Sequence, residues 1–206
     1  MYTLHYSPGA ASMAPQAVLE EIGTQFRLQK VDTANGEHQQ AAYLKLNPAG
    51  KIPALTLPDG TAMAESAGIC IFLADRHPEA GLAPAATDPA RVPYLQWFMH
   101  LTNTLQPADL RFYYADRYTT EETGVAGVRA SAIAEVADTW GRVDRHLAQK
   151  GPYLLGERFS AADIFCFMLS TWQDSCPDLN SRFPHIKKLA DLVAARPAVQ
   201  RMLKTN

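Results

Sequence analysis

Four short stretches of this chain place hydroxyls, an acid or turn-forming residues where a ligand could meet side chain and backbone together. The first is Ser7-Pro8-Gly9-Ala10-Ala11-Ser12, between the run Tyr2–Tyr6 and a helical pattern that begins near Met13. A strand, a tight turn and a helix start in this order present backbone N–H groups that favour an anion. The turn adds two serine hydroxyls, and the Tyr6 phenol stands at the strand end. Ser12 also fits a helix N-cap, with Pro15 in the first turn, where a missing N–H does no harm. A capped corner and a site for chemistry are both open here. A hydrolase nucleophile is disfavoured: no G-x-S-x-G pattern surrounds Ser12 and no His/Asp partner can be assigned.

The second stretch is Ile52-Pro53, directly before the apolar run Ala54–Leu57. A trans proline would simply start a strand. A cis bond would turn the Ile52 backbone outward, where it could pair with an extended peptide. The third is Glu65-Ser66, at the start of a helix that runs to Arg76. It reads either as an ordinary cap or as a site for a zwitterion, with Ser66 and the helix amides on a carboxylate and Glu65 on an ammonium. The fourth is Ser160-Ala161-Ala162-Asp163, which has the spacing of a capping box, with Phe159 and Ile164 placed as a hydrophobic staple. That stretch reads as structural.

The elements that must position these residues alternate at first. Strand, helix and strand are predicted over Tyr2–Tyr6, Ser12–Ile22 and Phe26–Val31, then a short helix over Glu37–Leu46. Strands follow at Ala54–Leu57 and Thr61–Ala64 around Pro58-Asp59-Gly60, and a helix at Glu65–Arg76 with Ile69, Phe72 and Leu73 on one face. The Pro/Gly/Ala-rich stretch His77–Pro84 reads as a linker, and beyond it no strand pattern occurs. A helical region begins at Asp88-Pro89, and Pro107 should kink or break it. A long helix carries Val125 to Leu147 at spacings of three and four. Phe159–Ser175 is apolar nearly all round, as a buried helix is. Two shorter helices end the chain. The expected division is an α/β domain over 1–80, a linker over 81–87 and an all-α domain over 88–206.

Composition narrows the partners. The 206 residues carry a net charge of −2, with no basic stripe, which argues against nucleic acid. No apolar run approaches the roughly 20 residues of a membrane span, and no signal peptide is expected. The three cysteines are odd in number and far apart, which points to a reducing cytoplasm rather than a disulfide framework. The six histidines lack metal-ligand spacing, so no metal is expected.

Taken together, YSPGAxS, NPAGKIPAL, the DG turn followed by ESAGICIFLADR, and ERFSAADI resemble the cytosolic glutathione transferase family over nearly the whole chain. The N-terminal stretch is most similar to the bacterial beta class. The resemblance implies a thioredoxin-like N-terminal domain followed by an all-helical C-terminal domain. It implies glutathione as co-substrate, a homodimer, a cis bond at Pro53, and Ile52 pairing with the cysteinyl unit. Glu65 and Ser66 would hold the γ-glutamyl end, and Ser160 and Asp163 would match the family's folding-related capping box. Two departures stand out. Ala11 occupies the position where beta-class members usually carry cysteine, and Gln106-Pro107 stands where they tend to carry a His-Lys pair.

The remaining hydroxyls, Ser12 first and Tyr6 second, are the candidates to stabilise the glutathione thiolate. A free thiol has a pKa of about 8.5, and lowering it by about two units requires roughly 2.7 kcal/mol. One hydrogen bond to a charged group contributes about 1.5–3 kcal/mol, and a helix N-terminus about 0.3–1. A hydroxyl at a helix start is therefore sufficient. A small apolar electrophile is expected between the domains, with Met99, Asn103, Phe112, Tyr113 and Tyr114 as candidate walls. The expected activity is conjugation of glutathione to that electrophile. The alternatives are a non-catalytic ligand-binding or protein-interaction member of the fold, or another glutathione-dependent reaction such as isomerisation, dehalogenation or peroxide reduction.

Overall fold

In the computed structural model, which describes residues 1–206, the alternating first segment closes into one four-stranded sheet. Strands β1 (Tyr2–Tyr6) and β2 (Phe26–Lys30) run parallel, from Tyr2 opposite Phe26 to Tyr6 opposite Lys30. Parallel neighbours need a crossover, supplied by helix α1 (Met13–Ile22), which Gly23 ends in a left-handed conformation (φ 73°). β3 (Ala54–Thr56) is antiparallel to β1, with Leu4 opposite Leu55, and β4 (Ala62–Ala64) is antiparallel to β3. The order is β2-β1-β3-β4. Helix α3 (Ser66–Arg76) lies beside α1, and the two contribute Ala14, Ala17, Val18, Ile69 and Leu73 to a core in which Leu4 and Leu55 are fully buried. A smaller cluster of Val31, Tyr43 and Ala54, with Ile52 and Leu46 against it, involves α2 (Ala41–Leu44). The single short helix expected over Glu37–Leu46 is split: a 3₁₀ turn over Glu37–Gln39 is separated from α2 by Gln40, whose backbone is extended.

Residues Met1–Ala85 and Ala194–Asn206 form one compact unit, and Ala86–Val193 a second. The last residues of the expected 88–206 helical domain pack with the first unit. Helix α10 (Pro197–Leu203) packs on α1. Arg196 meets Glu21 through two hydrogen bonds, and the fully buried Gln16 donates to Thr205 and accepts from Asn206. Gln16 is a polar group inside α1 that needs such partners.

The second unit is helical. Its members are α4 (Arg91–His100), α5 (Gln106–Tyr113), α6 (Val125–Lys150), α7 (Ala161–Ser170), the short α8 (Leu179–Arg182) and most of α9 (Pro184–Ala194). Pro107 does not break the first of these. A π-helical segment, Leu101–Leu105, joins α4 to α5 without leaving helical dihedrals, and the Gln106 N–H donates to the Leu101 carbonyl five residues back. The wider turn falls just before the proline, where an α-helical turn would bring its ring against a carbonyl and ask for an N–H it lacks. All ten residues of α7 are buried, and its capping box is formed. No helix is long and apolar enough to cross a membrane.

Asp109 on α5 is 1% exposed. Its Oδ1 accepts the Ser175 hydroxyl at 2.6 Å, while Oδ2 is buried with no partner in the protein. Burial pushes this carboxyl up to about 7, against the downward pull of the Ser175 bond. An unfolded aspartate titrates near about 3.9. Between these values the folded chain keeps a proton that the unfolded chain has released. Stability therefore falls as pH rises from about 4 to about 7 and levels off above that. Asp109→Asn is expected to remove this slope and to exceed the parent by about 2 kcal/mol near pH 8. Urea unfolding at about pH 5 and pH 8 measures it; curves for the two proteins that stay parallel with pH would refute it.

Candidate functional site

The turn after β1 is held by its own hydroxyls. Gly9 takes φ 69°, a left-handed conformation that glycine adopts without strain. The Ala10 N–H donates to the Ser7 carbonyl (3.2 Å) and the Met13 N–H to the Ala10 carbonyl (3.1 Å). Ser12 is 0% exposed. Its Oγ donates to the Ser7 carbonyl at 3.0 Å and accepts the Ser7 N–H at 3.3 Å. Ser12 is therefore not the helix cap its position suggests: its backbone is already helical (φ −71°, ψ −18°), and its hydroxyl bonds no α1 amide. Nor is its proton free for a ligand. The hydroxyl ties the two ends of the turn together.

What the turn leaves unpaired is backbone. The amides of Ala11 and Ser12 make no backbone hydrogen bond, and both stand at the positive end of α1. Tyr6, the other candidate, is partly exposed at the end of β1; its carbonyl accepts the Val31 N–H at 2.8 Å, and its hydroxyl has no hydrogen-bond partner in the chain. Ser7, which the sequence reading left without a role, bonds through its own Oγ to Thr33 Oγ1 at 3.2 Å. Thr33 lies just beyond β2, so this bond steadies the turn from the neighbouring strand.

The Ile52–Pro53 peptide is cis, and Pro53 is buried. The Ile52 N–H and C=O have no backbone partner. The loop that carries them is fixed one residue earlier. The Lys51 carbonyl accepts both the Tyr43 hydroxyl and Asn47 Nδ2, each at 2.7 Å, and Asn47 Oδ1 accepts the Ala49 N–H at 3.1 Å. Tyr43 and Asn47 were missed from the sequence. Asn47 could have been found as the turn former of the Asn-Pro pair, whereas the Tyr43 contact depends on tertiary packing.

Glu65 is the one non-glycine residue with positive φ (69°, ψ 103°). Such a backbone costs about 1–3 kcal/mol and persists where the surroundings over-determine it. Its side chain is exposed. The next residue, Ser66, is buried, and its Oγ donates to the Ala11 carbonyl at 2.6 Å. The start of α3 is thus joined to the start of α1. The second cis bond, Gly151–Pro152, lies in the helical unit and was not expected.

Among the proposed electrophile walls, Met99, Asn103, Tyr113 and Tyr114 are exposed and Phe112 is half-buried. Asn103 Nδ2 approaches Met99 Sδ at 3.8 Å, so these two share one helix face. Phe112 and Tyr114 are each covered by a guanidinium, from Arg129 and Arg117, and the Tyr113 hydroxyl donates to Asp174 at 3.3 Å. Gln106 accepts the Thr102 hydroxyl at 3.2 Å. All three cysteines are buried, and burial raises each thiol.

A β-α-β start with a cis proline before β3, an α3 that opens on a strained acid and a serine, and a separate helical unit define a family. Residues 12–76 match the model of the glutathione S-transferase N-terminal domain, and residues 103–206 that of the C-terminal domain. The chain belongs to the glutathione S-transferase family. A glutathione S-transferase GstA from Escherichia coli is 28% identical over 98% of each chain. A Sulfitobacter glutathione transferase homolog, solved with bound glutathione, superposes with a TM-score of 0.91 at 30% identity, over 99% of this chain and 97% of that one. A beta-class enzyme from Sphingomonas chungbukensis superposes at 0.85 and 30% identity, over 98% and 97%. Relatives of lower identity carry other names, among them a disulfide-bond oxidoreductase and a maleylacetoacetate isomerase. The thioredoxin-like N-terminal domain and the helical C-terminal domain expected from the motifs are those of the family. This transferase is a glutathione-dependent enzyme.

Proposed function

We propose that this transferase adds the glutathione thiolate to a small apolar electrophile, in the cytoplasm and as a homodimer, as a detoxification enzyme. The observation that carries the chemistry is the unpaired backbone at the start of α1, in a turn that follows the strand ending at Tyr6. Two amides and one phenol suit a thiolate, and the turn Ser7–Ser12 carries no cysteine to compete for it. In this reading Ile52 pairs its backbone with the cysteinyl unit, and Glu65 and Ser66 mark the γ-glutamyl end. Tyr6, rather than the internally bonded Ser12, is the side chain that meets the sulfur. The thiol proton leaves to solvent. The sulfur then forms a bond to the electrophilic carbon, and the leaving group departs with its electron pair. Met99 and Asn103, which are exposed on one helix face, are the leading walls for the electrophile, with Tyr113 next.

A glutathione-binding protein without chemistry is the second reading, motivated by Ala11 at the position of the beta-class cysteine. The buried cysteines also argue against thiol–disulfide exchange through a protein thiol. Calorimetry with glutathione tests binding, and an aryl halide assay tests conjugation. No heat up to millimolar glutathione would end the enzyme reading. Binding without conjugation of any electrophile in a broad panel would favour the second.

A further inference from the structure

The Ala11 carbonyl has an unusual donor. In a regular helix start it would accept the N–H of the residue four positions on, but that residue is Pro15, which has none. No backbone amide donates to it. Its partner is the Ser66 hydroxyl, 2.6 Å away, from a side chain 6% exposed in the first turn of α3. Ser66 follows Glu65, whose positive φ sets the direction in which α3 begins. The bond spans 55 residues of sequence and joins two helix starts. A serine hydroxyl has one proton, so a hydroxyl that donates to Ala11 is left as an acceptor towards anything else.

We infer that Ser66 is a positioning residue: its hydroxyl stands in for the N–H that Pro15 lacks and fixes the Ala11–Ser12 peptide, whose one N–H, that of Ser12, faces the sulfur of bound glutathione. This rests on the function proposed above, and it gives Ser66 a role separate from any contact with the γ-glutamyl carboxylate. The carboxylate then takes the Ser66 and Ala67 amides at the start of α3, and the hydroxyl remains on Ala11. Rotation of the Ala11 carbonyl would turn the Ser12 amide with it, because the two share one peptide plane. Loss of the Ser66 hydroxyl therefore acts on the thiolate at the other helix.

Four proteins test this: the parent, Ser66→Ala, Ser66→Thr and Ser66→Ala combined with Pro15→Ala. In the ligand-free proteins, amide hydrogen exchange over Ala11–Ala14 should be faster in Ser66→Ala and restored in Ser66→Thr, which keeps the hydroxyl. In the glutathione complexes, thiolate absorbance against pH should give a thiol pKa higher by about 0.5–1 unit in Ser66→Ala, with conjugation near pH 6.5 down about 3–10-fold and recovering near pH 9. Affinity for S-methylglutathione, which has no thiol to ionise, should change less than twofold. Pro15→Ala returns a backbone N–H to the place from which the Ala11 carbonyl is ordinarily bonded, so the Ser66→Ala defect should shrink in the double variant. An unchanged thiol pKa with weakened S-methylglutathione binding would overturn the inference and leave Ser66 as a carboxylate contact. So would an undiminished defect in the double variant. If the parent does not bind glutathione, the functional reading fails, while the exchange measurement still decides whether Ser66 and Pro15 act on one carbonyl.

Discussion

Replacing Tyr6 with phenylalanine is expected to raise the pKa of the bound glutathione thiol by about 1–2 units and to lower kcat/KM near pH 6.5 by about 10–100-fold. The size follows from one lost hydrogen bond to a charged sulfur, about 1.5–3 kcal/mol, at about 1.4 kcal/mol per pKa unit. The sign is that of a group favouring the charged form: its loss raises the thiol pKa, so the deficit is largest below the parent pKa and closes as pH rises through the variant's. Glutathione affinity below pH 6 should hold, because the neutral thiol gains little from the phenol. Ser12→Ala is the contrast. It removes the hydroxyl that accepts the Ser7 N–H and donates to the Ser7 carbonyl. The variant leaves a buried amide without its partner and should lower stability by about 1–3 kcal/mol. Its effect on the thiol pKa should be the smaller of the two. If the two variants exchange behaviours, Ser12 turns to the sulfur when glutathione binds, and Tyr6 has no part in activation.

The order of elements in the first unit was legible because each boundary has a local cause. Gly23 stops α1 and the Pro58-Asp59-Gly60 turn separates β3 from β4; in the second unit the capping box likewise opens α7. Residues whose partners lie far along the chain were not legible. Ser12 looked like a cap because serine before a helical run usually is one, yet its hydroxyl prefers Ser7, five residues back. Pro107 looked like a breaker because a proline in an α-helix asks for an N–H. The Leu101–Leu105 π segment, which no pattern in the sequence announces, removes the conflict. The Ser66–Ala11 bond depends on two helix starts meeting in space, and nothing in either stretch alone reveals it. The cis bond at Pro53 was open from the residues and followed from the resemblance. The packing of the last helix on α1 could not be read at all, since Gln16 looks like any polar residue on a helix until Thr205 and Asn206 are beside it.

Asp163→Ala is expected to destabilise the protein by about 3–5 kcal/mol. Asp163 is 0% exposed and accepts three hydrogen bonds: the Ser160 N–H at 2.8 Å, the Ser160 hydroxyl at 2.9 Å and the Leu154 N–H at 2.7 Å. The first is one half of the box at the start of α7, whose other half is the Asp163 N–H on the Ser160 hydroxyl; the second adds a side-chain bond across it. The third was not foreseen; it fastens the preceding 151–158 segment to the same helix start. Burial lifts the carboxyl to about 6, while the donors from Leu154 and Ser160 pull it back. Alanine leaves two buried amides unpaired, at about 1–3 kcal/mol each, in a fold whose whole stability is of order 5–15 kcal/mol. For a chain of this length that corresponds to a midpoint lower by about 6–20 °C. Ser160→Ala removes the hydroxyl that accepts the Asp163 N–H, but that amide keeps the Ser160 carbonyl at 3.1 Å, so this variant should cost only about 1 kcal/mol. The comparison isolates the Leu154 bond, because both variants damage the box and only one releases the segment before it. Limited proteolysis within 151–158 should therefore accelerate in Asp163→Ala and stay near the parent rate in Ser160→Ala. Equal losses in the two variants, in both unfolding and cleavage, would show that the box alone carries the stability and that the Leu154 bond adds nothing.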